Sequence, residues 1–426
     1  MTGRSRREGE PLANRNKRRR IGAVAVLLWA FPAAAQIDPR RAAAFFKEAA
    51  ALCKLEGGRL WGVSLCGPMV FADPSTNSIA TNQPAPAANP PASLGFANAA
   101  MDWGGARWST YVWRMIPSDQ HARGRLLLHE LFHRIQPQLG LLTRDGQNDH
   151  LDTLDGRYWL RLEWRALAKA LATSGPERAT ALGDALAFRS TRRKLFPAAA
   201  ENERLEEIRE GLAQYTGTVA SAASAAEAAA DAISQLAEYA RNPTFVRTFA
   251  YPTGAAYGIL LDAWSPGWTR QVKAADDLGQ LLQAAARVEA TEDAEVAAKR
   301  HGGPELRIAE ERRDGQQKSQ VAELRRRFVE GPVLVVPGAP GSFLSLGVTP
   351  IPGAGTVYPG VRVTAEWGSL EAAHALRSGD RSKLTLPAPA SLEGATLHGD
   401  GWTLKLAPGW VVRPGSRPGD FHLVRE

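Results

Sequence analysis

Two histidines four residues apart, with a glutamate after the first, form the clearest chemical motif of the chain: His129-Glu130-Leu131-Phe132-His133. On a helix, residues at this spacing project from the same face, so both imidazoles can bind one zinc ion. Glu130 is then placed to accept a proton from a water on that ion rather than to bind the ion itself. The motif predicts one zinc ion per chain and a water activated for attack on a carbonyl group.

The alternative interpretation of the motif is a pair of surface histidines with no metal. Three leucines precede His129, and Pro137 follows the motif closely. The leucines make the helix strongly apolar. Proline has no backbone N–H to donate, so the helix is expected to end just before Pro137. This context favours a buried helix that carries a functional site.

A catalytic zinc site needs a third protein ligand and an open position for water. In one branch of the zincins a third histidine follows at a compact spacing, but here that position is Leu139, and Gln136 stands where that branch has glycine. The branch is therefore excluded, and the third ligand must come from further along the chain.

Downstream, Glu210-Gly211-Leu212-Ala213 resembles the glutamate-glycine-x-alanine segment of gluzincins, the thermolysin-like and aminopeptidase-like branch of zinc peptidases. The resemblance implies that Glu210 is the third zinc ligand, with Glu207 as a possible neighbour on the same helix face. Glu210 lies 77 positions after His133, a longer interval than is usual in that family, so we expect an inserted helical pair.

Other acidic and imidazole side chains remain alternatives near the metal. Glu163 lies at a more familiar distance from the histidine pair but lacks the glycine-alanine context. His150, Asp149 and Asp152 could approach the metal or orient a ligand histidine, although a polar loop and a helix cap are the simpler interpretation.

Two further segments resemble the aminopeptidase-like gluzincins. Tyr251-Pro252-Thr253-Gly254 is similar to the family's tyrosine-x-lysine-glycine segment, which implies that the Tyr251 hydroxyl stabilises the oxyanion; a packed aromatic side chain is the alternative. Asp102 lies where the family has a glutamate that holds a substrate's free amine, but the accompanying asparagine is missing. The strand predicted at residues 107–116 is where this class of fold keeps the edge strand that pairs with an extended peptide.

The amino-terminal 35 residues have the pattern of a secretory signal: a basic run ending at Arg20, an apolar stretch, and small residues at 33–35. We expect cleavage after Ala35 and export to the periplasm or beyond, with an uncleaved amino-terminal anchor as the alternative. This segment carries six of the eight net positive charges of the chain. The remaining balance gives no support for a nucleic-acid partner.

Composition and periodicity predict the domain organisation of the 426-residue chain. Cys53 and Cys66 either form a disulfide or remain buried thiols. Residues 286–330 are rich in arginine and glutamate and predict a charged helical linker, and the composition changes abruptly at Gly331-Pro332. Helices are predicted at 40–54, 123–136, 157–173, 176–188, 200–216, 221–241, 254–264 and 318–330, and strands at 60–71, 107–116, 333–336, 343–348, 361–367 and 402–406.

Together these features predict an α+β protein: a zincin-like domain at 36–285 with a small mixed sheet and a large helical lobe, then an all-β domain at 331–426. The expected activity is hydrolysis of peptides or proteins, with His129, His133 and Glu210 on zinc and with Glu130 and Tyr251 as catalytic residues. The alternatives are a zincin-shaped binding or scaffolding protein without turnover, and a zinc hydrolase of non-peptide esters or amides.

Overall fold

The computed structural model describes residues 36–343 and 347–426. The predicted signal segment and residues 344–346 of the strand predicted at 343–348 lie outside these ranges. Over the described residues the protein is mixed α+β, with a β-rich carboxy-terminal region, as the sequence predicts. None of the described helices is both long enough and apolar enough to cross a membrane.

A small mixed sheet opens the described chain and has the strand order β2-β1-β4-β3. Strand β4 pairs in parallel with β1 and antiparallel with β3. The expectation of an edge strand at 107–116 is therefore wrong, because β4 has a partner on each side and β3 forms the edge. Of the strand predicted at 60–71, only the last three residues are extended. The strands are β1 Met69–Asp73, β2 Ser78–Thr81, β3 Ala99–Trp103 and β4 Ala106–Val112.

Helices form the body of the first part of the chain and agree closely with the apolar periodicity. They are α1 Pro39–Glu56, α2 Gln120–Ile135, α3 Leu154–Ala172, α4 Gly175–Leu195, α5 Ala199–Glu206, α6 Leu212–Ser221, α7 Ala225–Tyr239, α8 Ala250–Trp264, α9 Leu278–Ala286, α10 Ala294–Arg300 and α11 Gly303–Arg325. Short 3₁₀ turns lie at Trp113–Met115, Asp149–Asp152 and Trp268–Arg270, and π-helical turns lie at Glu207–Gly211 and Arg326–Glu330.

Helix α2 carries the histidine motif and packs beneath the small sheet. Its amino terminus is capped by Asp119, whose carboxylate accepts a hydrogen bond from the Ala122 amide at 2.8 Å. Two side chains of β4 hold its backbone: the Ser109 hydroxyl donates to the Glu130 carbonyl at 2.9 Å, and the Tyr111 hydroxyl donates to the Leu127 carbonyl at 2.8 Å. The sheet therefore fixes the position and the rotation of α2.

The long interval between the histidine motif and Glu210 is filled by helices, as expected. Helices α3 and α4 pack against each other and contribute buried residues such as Trp164, Leu167 and Phe188 to the main core. The chain then returns through α5 to the π-helical turn that carries Glu210. Helices α3 and α4 lie away from the histidines, so the long interval does not separate Glu210 from them in space.

The charged segment 286–330 is helical, as predicted, but it packs against the helical lobe instead of standing free between the domains. Leu306 of α11 is part of the main core, and the buried carboxylate of Glu310 binds Arg157 of α3 at 2.9 Å. The last turn of this segment reaches the other domain, where Phe328 packs with Val357 and Leu376. The segment thus contacts both domains.

The carboxy-terminal region contains a ten-stranded sheet whose main path is β11-β12-β9-β10-β5-β14-β13. Strand β8 pairs with β9, and the short strands β6 and β7 pair with β8. Its core includes Val336, Trp367, Leu386 and Trp402. The strands are β5 Val333–Pro337, β6 Gly341–Ser342, β7 Thr349–Ile351, β8 Gly355–Ala365, β9 Gly368–Arg377, β10 Lys383–Pro387, β11 Thr396–Gly399, β12 Trp402–Leu406, β13 Trp410–Pro414 and β14 Phe421–Arg425.

A disulfide bond joins Cys53 to Cys66, with a Cα–Cα distance of 5.2 Å. The bond ties the last turns of α1 to the loop that precedes β1. Of the two alternatives that the sequence leaves open, the structure therefore contains the disulfide.

Candidate metal centre

Three side chains from two elements converge on one point beside α2. The Nε2 atoms of His129 and His133 lie 3.1 Å apart. Oε2 of Glu210, from the π-helical turn, lies 3.4 Å from each of them. Of the described residues, these three are the group of histidine and acidic side chains whose atoms could hold a metal ion together. The predicted ligand set is thus assembled in space.

The spacing of these three atoms fits a tetrahedral zinc site. Zinc binds histidine nitrogen and carboxylate oxygen at about 2.0–2.2 Å, so neighbouring ligand atoms of a tetrahedron lie about 3.3–3.6 Å apart. The observed distances of 3.1, 3.4 and 3.4 Å are close to that edge length. Two nitrogens and one carboxylate oxygen are also ligands that zinc prefers, and they leave the fourth position open.

The other ring nitrogen of each histidine faces a glutamine. Nδ1 of His129 lies 3.0 Å from Oε1 of Gln214, and Nδ1 of His133 lies 2.9 Å from Oε1 of Gln136. In both cases the amide oxygen accepts the Nδ1 proton, which leaves the Nε2 lone pair directed at the centre. Neutral amides thus occupy the positions where metal-binding histidines often have a carboxylate.

The charges of the three ligands stabilise one another. Burial by itself raises the pKa of Glu210, but hydrogen bonds from His129 and then His133 outweigh burial and hold that pKa well below its usual value. Burial by itself lowers the pKa of His133, but the hydrogen bond to Glu210 and the negative charges of Glu210 and Glu130 together outweigh burial and raise the pKa to about 9. A cation between these side chains would take the place of the imidazole proton.

A close contact between two glycines brings α8 against the π-helical turn. A Cβ atom added to Gly254 would lie 2.2 Å from the Cα of Gly211, so Gly254 has no room for a side chain, and a Cβ atom added to Gly211 would lie only 3.0 Å from the Cα of Gly254. Glu210 precedes Gly211, and Tyr251 lies one turn before Gly254 on α8. The contact therefore places the tyrosine next to the carboxylate. Turns of π-helix within α-helices occur frequently at functional sites.

Glu130 lines the same cleft as the two histidines and is 4% exposed. Its Oε2 atom is buried and has no hydrogen-bond partner within the protein. Burial raises the pKa of Glu130, although the neighbouring His129 and His133 act in the opposite direction. An unpartnered carboxylate oxygen beside the predicted metal position is what a proton acceptor for water requires.

Tyr251 stacks on the ring of His129, with centroids 5.4 Å apart and planes 3° from parallel. On its other side lies Tyr239, at 5.9 Å. Burial, followed by the negative charge of Glu210, raises the pKa of Tyr251 well above its usual value, so its hydroxyl keeps its proton. Tyr251 therefore has a hydroxyl proton to donate beside Glu210.

The centre opens into a cleft of about 760 Å³ that runs between the edge strand β3 and helix α8. Ala99 and Ala100 of β3 line one wall, and Tyr251 lines the other. Three apolar side chains at its margin are unusually exposed: Phe96 is 77%, Met115 58% and Leu142 61% exposed. Arg247 also lines the cleft and is exposed.

The structure does not bring the alternative ligand Glu163 to the metal centre. Its carboxylate is fully buried, binds Arg192 at 2.5 Å and Arg189 at 3.3 Å, and accepts a hydrogen bond from Tyr257 at 2.8 Å. Glu207 also faces away, because its carboxylate is bidentate with Arg189. These acidic groups neutralise buried arginines in the helical lobe.

The remaining polar candidates have structural partners. His150 bonds Glu203 at 2.9 Å, and the Asp152 carboxylate accepts from the Phe245 amide at 3.0 Å. Asp149 is exposed in its 3₁₀ turn. Asp102 is exposed at the sheet edge and pairs with Arg107 at 3.3 Å; Arg107 lines the cleft, whereas Asp102 does not.

Gln214 and Gln136 are the site residues that the sequence reasoning missed. In the sequence, Gln136 stands out only because one zincin branch has glycine at this position. Gln214 lies four residues after Glu210, a spacing that places it one turn along from a predicted ligand and could have marked it as a neighbour of the metal. No protein-family model, curated protein or solved structure was found to match this chain.

Proposed function

We propose that this protein is a zinc-dependent hydrolase that cleaves amide bonds in peptides or proteins. The observation that carries the proposal is the arrangement of His129, His133 and Glu210 at tetrahedral edge distances, with the unpartnered Glu130 carboxylate in the same cleft. A zinc ion held there would polarise the substrate carbonyl and lower the pKa of a bound water toward about 7.

Each remaining residue has a role that its position permits. Glu130 accepts the proton of the attacking water on Oε2 and returns it to the leaving nitrogen. The Tyr251 hydroxyl donates a hydrogen bond to the carbonyl oxygen as negative charge develops there. Gln214 and Gln136 hold the two imidazoles so that their Nε2 atoms face the centre.

A peptide is the substrate class that the cleft favours. Strand β3 pairs with β4 on one side only, so its outer edge offers backbone groups to an extended chain. Ala99 and Ala100 have side chains too small to keep such a chain away from the cleft. The exposed Phe96 and Leu142 would contact apolar side chains of the same substrate.

Export of the protein is part of the proposal. The basic and apolar pattern of residues 1–35 supports it, and so does the Cys53–Cys66 disulfide, because disulfides persist mainly in oxidising compartments. The periplasm or the cell exterior would provide such conditions.

The decisive experiment measures zinc per chain by elemental mass spectrometry on residues 36–426, together with digestion of a broad peptide library. We expect about one zinc in the parent, loss of zinc in Glu210→Ala, and retention in Glu163→Gln even if that variant is less stable. Zinc retention in Glu210→Ala would refute the ligand assignment. Zinc binding without cleavage of any peptide would favour an ester or non-peptide amide substrate, or a binding protein.

A further inference from the structure

A buried chain of hydrogen bonds leads from His129 to a carboxylate on another helix. Gln214 accepts from Nδ1 of His129 at 3.0 Å and donates from Nε2 to Oε1 of Gln235 at 2.6 Å. Gln235 of α7 donates in turn to Oδ2 of Asp231 at 3.1 Å and to the hydroxyl of Thr218 at 3.0 Å. Gln214 and Gln235 are 6% and 1% exposed, so water does not readily replace these bonds.

The Asp231 carboxylate determines which group donates and which accepts in each hydrogen bond between it and His129. An ionised Asp231 can only accept hydrogen bonds, so the amide nitrogen of Gln235 must face it. The amide oxygen of Gln235 then faces Gln214 and requires the nitrogen of Gln214. That leaves the oxygen of Gln214 for His129, which must carry its proton on Nδ1 and present the Nε2 lone pair to the metal centre.

The Asp231 carboxylate is bound by two side chains of α2. Arg125 donates to both of its oxygens, at 2.5 and 2.8 Å, and Nε2 of His121 lies 3.1 Å away. The negative charge therefore lies two glutamine side chains away from His129 and is offset by the guanidinium. A carboxylate bound directly to His129 would place its negative charge next to a bound ion. The two glutamines instead transmit only the orientation of the imidazole.

His133 is fixed by the same logic with a different acceptor. The amide nitrogen of Gln136 donates to the backbone carbonyls of Ile208 and Arg209, at 3.0 and 3.1 Å. Carbonyl groups only accept, so the amide oxygen of Gln136 must face Nδ1 of His133. Both metal histidines are thus oriented by glutamines whose far ends meet groups that cannot donate.

We propose that Gln235 and Asp231 are positioning residues for the metal centre, acting on His129 through Gln214. This inference rests on the proposed zinc function and adds to it two residues on α7 that do not touch the metal ligands. Outer partners of metal-binding histidines typically change metal affinity by about 10-fold to 100-fold when removed. Residues one bond further out should follow the same rule if the chain transmits orientation.

The test is zinc affinity by chelator competition in the otherwise intact protein. We expect Gln235→Leu to bind zinc about 10-fold or more weakly, and Asp231→Asn to bind it more weakly than the parent because an asparagine allows the amides to flip. Adding Asp231→Asn to Gln235→Leu should cause no further loss. Glu238→Gln, which removes an exposed charge from the same helix, should leave the affinity unchanged.

A rescue variant separates orientation from general damage to the fold. Gln214→Glu in the Gln235→Leu background places an acceptor-only group directly on Nδ1 of His129, so it should restore zinc affinity. We call the hydrogen bonds from Asp231 through Gln235 and Gln214 to His129 the relay. Three results would each overturn the relay but not the proposed function: parent zinc affinity in Gln235→Leu, additive losses in the double variant, or failure of the rescue in a variant with parent-like circular dichroism. A parent protein that binds no zinc would overturn the proposed function and the relay together.

Discussion

At the scale of single residues, hydrogen bonds fix the orientation of the side chains at the candidate metal centre. Nδ1 of each histidine is occupied by a glutamine oxygen, and both Nε2 atoms face Oε2 of Glu210. Glu130 and Tyr251 complete the cleft without binding at the ligand positions. The two predictions at this scale test whether these roles are separable from metal binding.

Glu130→Gln should retain zinc and lose hydrolysis by a factor of about 10²–10⁴, the usual contribution of a general base. The amide keeps the shape of the side chain but cannot accept the proton of the attacking water. Peptide hydrolysis rates and zinc content on the same preparation provide the measurement. Hydrolysis at the parent rate with zinc bound would show that another group accepts the proton.

Tyr251→Phe should lower kcat about 10²-fold to 10³-fold, because a donor to the developing oxyanion is lost. Its effect on KM should be small, since the hydroxyl acts mainly in the transition state. Tyr239→Phe is a suitable control, because Tyr239 lies in the same cleft and stacks on Tyr251. Equal losses in both variants would indicate a packing effect rather than oxyanion stabilisation.

At the scale of elements, the site depends on how closely two segments approach. The π-helical turn contributes Glu210, and α8 contributes Tyr251, and these two elements meet at Gly211 and Gly254. A Cβ atom at either glycine would meet backbone atoms rather than a flexible side chain. Backbone atoms cannot move aside without a shift of the whole element.

Gly254→Ala should therefore reduce the free energy of unfolding by about 1–3 kcal/mol, the usual cost of overpacking. It should also reduce kcat, since α8 must move and Tyr251 moves with it. Gly315→Ala is the matched control, because Gly315 lies in α11 with no atom within 4 Å of the added Cβ. That change should be neutral or stabilising by up to about 1 kcal/mol.

Chemical denaturation of both alanine variants provides the stability measurement, and peptide hydrolysis provides the kcat. A Gly254→Ala protein with parent stability and parent kcat would mean that the two elements tolerate a wider separation than the structure shows.

At the scale of the whole molecule, buried ion pairs join segments that lie far apart in the sequence. Asp184 of α4 is 1% exposed and binds His301 at 2.9 Å, Arg300 and the Thr291 hydroxyl. These partners follow residue 286, so the charged segment is anchored to the helical lobe. Burial by itself raises the pKa of Asp184, but hydrogen bonds from His301 and then Arg300 outweigh it and hold the pKa below its usual value.

Asp184→Asn should destabilise the protein at neutral pH by about 1.5–3 kcal/mol, the range for hydrogen bonds to a charged group. Because the pKa is lower in the folded state, the ionised group stabilises the fold above about pH 4, and this contribution is lost as the pH falls. The difference in unfolding free energy between parent and variant should therefore narrow below about pH 4. Asp155→Asn is the control.

Asp155 pairs with Arg307 at 2.6 Å, but its side chain is 50% exposed, and surface ion pairs contribute about 0–1 kcal/mol. Urea denaturation at several pH values measures both variants. If the difference in unfolding free energy between parent and Asp184→Asn stays constant down to pH 2, then the charge of Asp184 does not stabilise the fold.

The sequence by itself determined the local features of this protein. Spacing placed His129 and His133 on one helix face, and apolar periodicity located most helices and the change to β-structure after Gly331, because these signals depend only on neighbouring residues. The resemblance of the segment at Glu210 to gluzincins supplied the third candidate ligand, and the structure brings that residue to the histidines.

Only the tertiary structure decided which polar side chains meet. Glu163 and Glu210 both lie on helices downstream of the motif, yet one neutralises buried arginines and the other faces the histidines. Sequence could not show β3 as the edge strand, because strand order depends on long-range pairing. The relay from His129 to Asp231 spans three helices, and its direction follows from an acceptor that only the fold brings within reach.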